Sequence, residues 1–475
     1  MVKNEVVKHV SRGAKIVSAS VLAQFTIGFI VQVILARTLE PSLFGEVAFA
    51  ASIGLIFNGL TNSAGDKYII HGDADPHEIL DNVFTFELAL SIVFIIIMFF
   101  LAPFAMEWAD KPESTLVVQI LAFSYFYNPL SKPRCLFERD LDYYRAKYPL
   151  ILAQVLSAFL TIYFAFNGLG LWSLVFWRMS TLLAESIILW MIASYRPKIA
   201  WDWRVVRGVL SYGSPLMMAA FLHFILQSIP YYVINVFDEG SAQSGYFWLA
   251  FQFSFYFMKI REVLYSVLFP IFSRLLDNKD KTIVFMKITK LITAFMLPPT
   301  ITVVFFSEEI ILFLFGEKWL LSVLPFQLIF ITILIRIISS NLSYYFESMG
   351  TTRISLITVS LKLALLLPLS YVLTQEFGIN GTSLAILTVD FVTGFYIYQK
   401  FVKGFTGKGF FHFFLMPLLL SGLSFLGVLV IGEMGGSFAL KMAMYAGVMV
   451  VIYRLLLREA IKDTFKVYRA NIDHG

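Results

Sequence analysis

The chain has 475 residues, 58% of them hydrophobic and 15% charged, with a formal net charge of +5 and a mean hydropathy of +0.77. That balance lies far from the soluble average and puts most of the chain in hydrocarbon. The single Cys135 excludes an internal disulfide, the six histidines form no cluster at metal-ligand spacing, and the bases are spread over short loops with no nucleic-acid-binding pattern, so a stapled, metal-held or nucleic-acid-binding protein is excluded.

In chain order, Met1 to Lys15 carries Lys3, Lys8, Arg12 and Lys15 and runs into an apolar stretch of over 20 residues. This is too long for the core of a signal peptide and reads as a retained first membrane helix. Windows long enough to cross about 30 Å of hydrocarbon fall near 13–36, 43–65, 84–104, 114–132, 148–167, 169–194, 209–237, 244–273, 282–306, 320–348, 353–374, 379–402, 409–431 and 436–457. With the spans alternating in direction, 28 of the 37 Lys and Arg fall in segments on the side of the N-terminus, and only Arg37, Lys111, Lys318 and Lys441 on the other. That bias predicts both termini in the cytoplasm. The remaining five bases, Arg178, Lys259, Arg261, Arg336 and Lys362, lie within spans.

Residues 13–50 align without a gap on 213–250: Gly13 meets Gly213, Ala19 meets Ala219, Leu22 meets Leu222, Gly45 meets Gly245 and Ala50 meets Ala250. Six spans separate the repeat starts, so the copies share an orientation and predict a pseudo-two-fold axis along the membrane normal. Asn167-Gly168-Leu169-Gly170 before span 6 and Gly378-Ile379-Asn380-Gly381 before span 12 mark corresponding turns. The expected fold is an all-α polytopic membrane protein of about 14 helices: a lobe over 1–208 (spans 1–6), a second over 209–404 (spans 7–12), and two extra spans with a basic cytoplasmic tail over 405–475.

Leu35-Ala36-Arg37-Thr38-Leu39-Glu40-Pro41-Ser42-Leu43-Phe44-Gly45, then Gly168 to Leu174, Tyr195-Arg196-Pro197 through Trp201, Leu268-Phe269-Pro270-Ile271-Phe272-Ser273-Arg274 and Leu314-Phe315-Gly316-Glu317-Lys318-Trp319 resemble, in order, segments of the polysaccharide transporters of the multidrug/oligosaccharidyl-lipid/polysaccharide (MOP) superfamily. The likeness is to Wzx-like lipid-linked oligosaccharide flippases of the colanic or teichuronic acid exporter type. The resemblance implies a bacterial inner-membrane protein with two lobes around a cavity that opens alternately to each side. Its implied substrate is an undecaprenyl-pyrophosphate-linked sugar unit carried outward, without a cofactor, coupled to a proton or sodium gradient and working beside polysaccharide assembly enzymes.

A pyrophosphate and sugars cross hydrocarbon only through a wet, cationic cavity, which makes the intramembrane bases the substrate-binding candidates. Lys259, Arg261 and Glu262 on span 8 read either as a pyrophosphate-loading site or as a buried ion pair or interfacial cluster. Arg336 on span 10 joins the same cationic layer or pairs with Glu185. Arg178 and Glu185, seven apart on span 6, share a face about 10 Å apart along the axis, so each needs another partner, with Arg178 a substrate contact and Glu185 a buried pair or a proton-responsive group. Lys362 and Asp390 lie at matching depth on adjacent spans and suit an ion pair, the alternative being an ion-coupling role for Asp390. Gln24, His223 and Gln227 are weaker candidates for lining the cavity. A cation or multidrug exporter of the same superfamily predicts acidic residues without a cationic cluster. A glycan polymerase or ligase predicts sizeable outer loops with catalytic groups, which the short outer segments do not supply.

Overall fold

A computed structural model describes residues 2–62, 76–237, 241–274, 299–348 and 353–402, with isolated positions besides, and most but not all of their side chains. The predicted spans at 409–431 and 436–457, and most of that at 282–306, lie outside the described residues. All regular structure among the described residues is helical, and 7 of those helices are long and apolar enough to cross a membrane. Internal contacts divide the chain into two units, Met1–Trp248 with Leu363–Thr382 and Leu249–Lys362 with Ser383–Gly475.

In the first unit, α1 (Val2–Thr38) runs unbroken because no proline precedes Pro41. Pro41 then takes the first position of α2 (Pro41–Gly54), where its missing N–H deprives no partner. The short α3 (Asn58–Thr61) leads to α4 (Pro76–Trp108). Along α4, Met98, Ala102 and Met106 are fully buried, whereas Ile96, Phe100 and Phe104 are exposed. Both rows recur every four residues, so one stripe packs on protein and the other, equally apolar, faces lipid.

The window 114–132, expected as one span, is broken into α5 (Thr115–Ala122), a 3-10 turn at Phe123–Phe126 and α6 (Tyr127–Leu130). Pro129 has no N–H for the carbonyl of Tyr125 four residues earlier. A backbone N–H at the end of the 3-10 turn donates to that carbonyl instead, and the hydroxyl of Ser91, buried on α4, shares its one proton between it at 2.9 Å and the carbonyl of Glu87 at 2.7 Å. The helix α7 (Pro133–Arg139) follows, Asp142 caps α8 (Tyr143–Phe166) by accepting from the Arg145 amide, and Gly168 and Gly170, at φ 80° and 50°, turn the chain into α9 (Leu171–Ile192). The unit continues through α10 (Trp203–Phe237) into the start of α11 (Ser241–Arg274).

The first turns of α2 and α11 cross at the repeat-related glycines. A Cβ on Gly45 would stand 1.7 Å from the carbonyl oxygen of Ser241, and one on Gly245 would stand 1.9 Å from that of Pro41. Pro41 and Ser241 occupy equivalent repeat positions, so the contact is reciprocal. Lys111 caps it: its ammonium donates to the Ser241 hydroxyl at 3.1 Å and sits 5.5 Å from the centre of the Phe49 ring.

The second unit holds the rest of α11, α12 (Ser307–Leu314), α13 (Val323–Ser348) and parts of α14 (Arg353–Val402). Between α12 and α13, Gly316 at φ 94° turns the chain so that Phe315 and Trp319 are buried, with Phe253 stacked edge-on to Phe315 at 5.4 Å. The helix α14 is two helices joined at Gly378, φ 57° and ψ −140°, the landmark that corresponds to the α8–α9 turn.

Candidate functional site

In the first unit α9 carries Arg178 and Glu185 on one face, and they meet different environments. Glu185 is fully buried and accepts from the Tyr127 hydroxyl at 2.7 Å and from the guanidinium of Arg134, which also donates to Tyr127 at 2.8 Å. Tyr127 belongs to the broken helix and Arg134 to α7, so the break that Pro129 creates brings both groups to α9. Trp190, one turn further on, fixes the same junction by donating to the carbonyl of Leu130 at 2.7 Å. Arg178 instead has an exposed side chain and no carboxylate partner among the described residues. It lies about 10 Å below the start of α9 by helical rise. A guanidinium at that depth is very costly against lipid and is tolerated where water or an anion reaches it.

A second buried pair links Lys132 to Glu87 on α4 at 2.8 Å, with both side chains essentially inaccessible. Burying two ions is tolerated only when each meets the other and further hydrogen bonds complete the set.

In the second unit, Asp390 on α14 is 3% exposed and lies between two cations. Arg336 on α13 donates to it through Nε at 2.7 Å, and Lys362 on α14 donates to its other oxygen. Two cations against one carboxylate leave a net positive charge, and both basic side chains keep a fifth of their surface accessible. Arg336 is thus paired with Asp390 and not with Glu185, which Arg134 occupies. The arrangement joins residues on one helix hairpin and its neighbour, a choice of partner that depth along the helices leaves undetermined.

Lys259, Arg261 and Glu262 fall on a helical stretch of α11 whose side chains lie outside the described residues. Of the polar candidates, Gln24 on α1 is half-buried, and His223 and Gln227, one turn apart on α10, are joined ring to amide at 2.6 Å with His223 exposed. Among the described residues no group of three or more His, Cys, Asp or Glu is placed to hold a metal ion.

Sequence reasoning missed Glu87, Lys132, Arg134 and Tyr127. Glu87 carried a signal, being a carboxylate inside the predicted span 84–104 with no base near it in sequence. Arg134 carried none, because it stood in a segment read as a loop.

A family model described as "Polysaccharide biosynthesis protein" matches residues 34–324, more than half of the chain. The chain is 20% identical over 424 residues to the lipopolysaccharide biosynthesis protein WzxC of Escherichia coli, covering 86% of this chain and 85% of that one. Among solved structures it resembles the lipid II flippase MurJ in an inward closed conformation, with a TM-score of 0.73 at 14% identity over 94% of this chain and 99% of the other. It also resembles an inward-facing multidrug resistance MATE family transporter of the MOP superfamily, with a TM-score of 0.60 at 16% identity over 82% and 95%. The multi-helix transporter fold therefore extends over nearly the whole sequence, and the chain belongs to the polysaccharide biosynthesis protein family.

Proposed function

We propose that the chain is a flippase that carries undecaprenyl-pyrophosphate-linked oligosaccharide units from the inner to the outer leaflet of the bacterial cytoplasmic membrane by alternating access, for surface polysaccharide export. It is a transporter and performs no covalent chemistry. The observation that carries this reading is Arg178, an accessible guanidinium within a membrane helix and without a carboxylate partner among the described residues. A planar fork of donors reached by water is suited to a pyrophosphate, which needs several charge-assisted hydrogen bonds to leave water. The net positive group of Arg336, Lys362 and Asp390 supplies a second anion-attracting centre, and Lys259 and Arg261 belong to the same assignment. His223, Gln227 and Gln24 are the polar groups for sugar hydroxyls.

A cation exporter needs accessible carboxylates inside the membrane. Glu87, Glu185 and Asp390 are instead buried and each is held by a base, which favours an anionic cargo. Both termini lie in the cytoplasm, 1–208 and 209–404 are the two rocking lobes, a proton or sodium gradient drives the cycle, and polysaccharide assembly enzymes supply and receive the cargo. The test is a vesicle flipping assay that compares lipid pyrophosphate-linked sugar with a cationic drug. Flipping of the sugar lipid is expected to fall about 10-fold or more in Arg178→Ala, the loss of one charge-assisted contact, with Arg178→Lys intermediate. Transport of the drug but not the lipid, or wild-type flipping by Arg178→Ala, overturns the assignment.

A further inference from the structure

The segment 193–202 between α9 and α10 has no helix of its own, yet it is strapped along the first turns of α4. Asp81 Oδ1 accepts from the Tyr195 hydroxyl at 2.5 Å and from the Lys198 amide at 2.6 Å. Thr85 Oγ1 accepts from the Ala200 amide at 3.0 Å, and Asn82 Oδ1 from the Asp202 amide. Alternate amides therefore face α4, and side chains beside them stay largely exposed: Ile199, Trp201 and, at the start of α10, Trp203 are 82%, 55% and 58% exposed, with one edge of Trp201 against Phe86 of α4 at 6.3 Å between ring centres. Trp201 and Trp203 stack at 6.4 Å. Because the strap joins two membrane-spanning helices at their ends, it lies at the depth where amphipathic rings settle.

Charge completes the surface. Arg204 is neutralised by Asp202 at 3.0 Å. Arg196, Lys198 and Arg207 are exposed with no ion pair among the described residues. Lys198 is held through its amide, which leaves its ammonium out of the strapping. We propose that this strap is a docking surface for anionic phospholipid headgroups, with the indoles and Ile199 in the interface and the three bases over the lipid phosphates. Clustered bases at a membrane surface attract anionic lipid by an amount that corresponds to roughly a fivefold local enrichment for each base engaged. The inference stands independently of the cargo assigned above, since it concerns lipid at the edge of the protein and not the transport path.

The test places the full-length protein in vesicles of phosphatidylcholine with a minor fraction of phosphatidylglycerol, one or the other carrying brominated chains, which quench nearby indoles. The contribution of Trp201 and Trp203 is isolated by difference from Trp201→Phe/Trp203→Phe. At equal mole fraction, brominated phosphatidylglycerol is expected to quench that contribution several-fold more than brominated phosphatidylcholine. The preference should vanish in Arg196→Gln/Lys198→Gln/Arg207→Gln and persist in Arg196→Lys/Lys198→Arg/Arg207→Lys. High salt should remove it from the unmodified protein, a control that needs no variant to fold. Equal quenching by the two lipids, a preference that survives in the glutamine variant, or one insensitive to salt overturns the proposal. An acidic protein as the true partner would give the first of these.

Discussion

Replacing Gly45 by alanine places a methyl group 1.7 Å from the carbonyl oxygen of Ser241, where ordinary contact begins at 3.4 Å. The obstacle is backbone, which cannot swing aside as a side chain can, so the first turns of α2 and α11 must part by roughly 1.5–2 Å. Overpacking of a tight contact costs about 1–3 kcal/mol, which lowers the population of the crossed arrangement about 5- to 150-fold relative to any state in which the helices are apart. The expected result is a folded protein with impaired flipping. Reporting the state directly requires a cysteine at Ala48, buried beside the crossing, in a Cys135→Ala background: an impermeant maleimide should label it slowly in the parent and faster in Gly45→Ala. The contact is reciprocal, so Gly245→Ala should match Gly45→Ala, and the double variant should be less than additive, because helices already parted no longer clash. Unchanged labelling and transport in Gly45→Ala, or strongly unequal effects of the two alanines, would refute the argument.

Asp390→Asn leaves Arg336 and Lys362 facing each other without a carboxylate and should lower stability by about 3–5 kcal/mol, with Lys362→Met restoring part of it in chemical unfolding. If stability falls but transport still depends on the gradient as before, Asp390 has no part in ion coupling. Glu87→Gln and Lys132→Met should each destabilise by a similar amount and their combination by much less than the sum, so additivity in a double-mutant cycle would show that the pair is not coupled. Asp202, just ahead of α10, is held below the usual carboxylate range by the Arg204 side-chain hydrogen bond first and by the Arg204 amide next. A depressed carboxylate stabilises above its unfolded pKa, near about 4, and loses that contribution as pH falls through the folded value. The protection of amides at the start of α10, taken as exchange relative to the intrinsic rate at each pH, should therefore fall as pH drops below about 4, and Asp202→Asn should abolish that dependence.

What was legible in the sequence was whatever a local pattern dictates. Hydropathy marks the spans, Gly168, Gly170 and Gly378 mark turns that need positive φ, and the offset of 200 residues aligns Gly45 with Gly245 before either is seen at the crossing. Depth was legible too, since helical rise alone puts Lys362 and Asp390 level. Partners were not, because depth says nothing about azimuth: Arg336 had two carboxylates within reach of the argument, and only packing selects Asp390. Arg134 was invisible as the partner of Glu185 because 51 residues separate them and a break in an apparently continuous span is what brings Arg134 there.

That break has a consequence for motion. With Pro129 unable to serve it, the carbonyl of Tyr125 is shared between a backbone N–H of its own turn and a hydroxyl carried by another helix, at a place without water. Sliding α4 past the broken segment by even one turn would withdraw that hydroxyl and part Glu87 of α4 from Lys132 just beyond the break, leaving two buried ions unpaired at a cost of several kcal/mol. The two segments are thereby locked in register. During a transport cycle they travel as one body, and whatever bends must bend elsewhere.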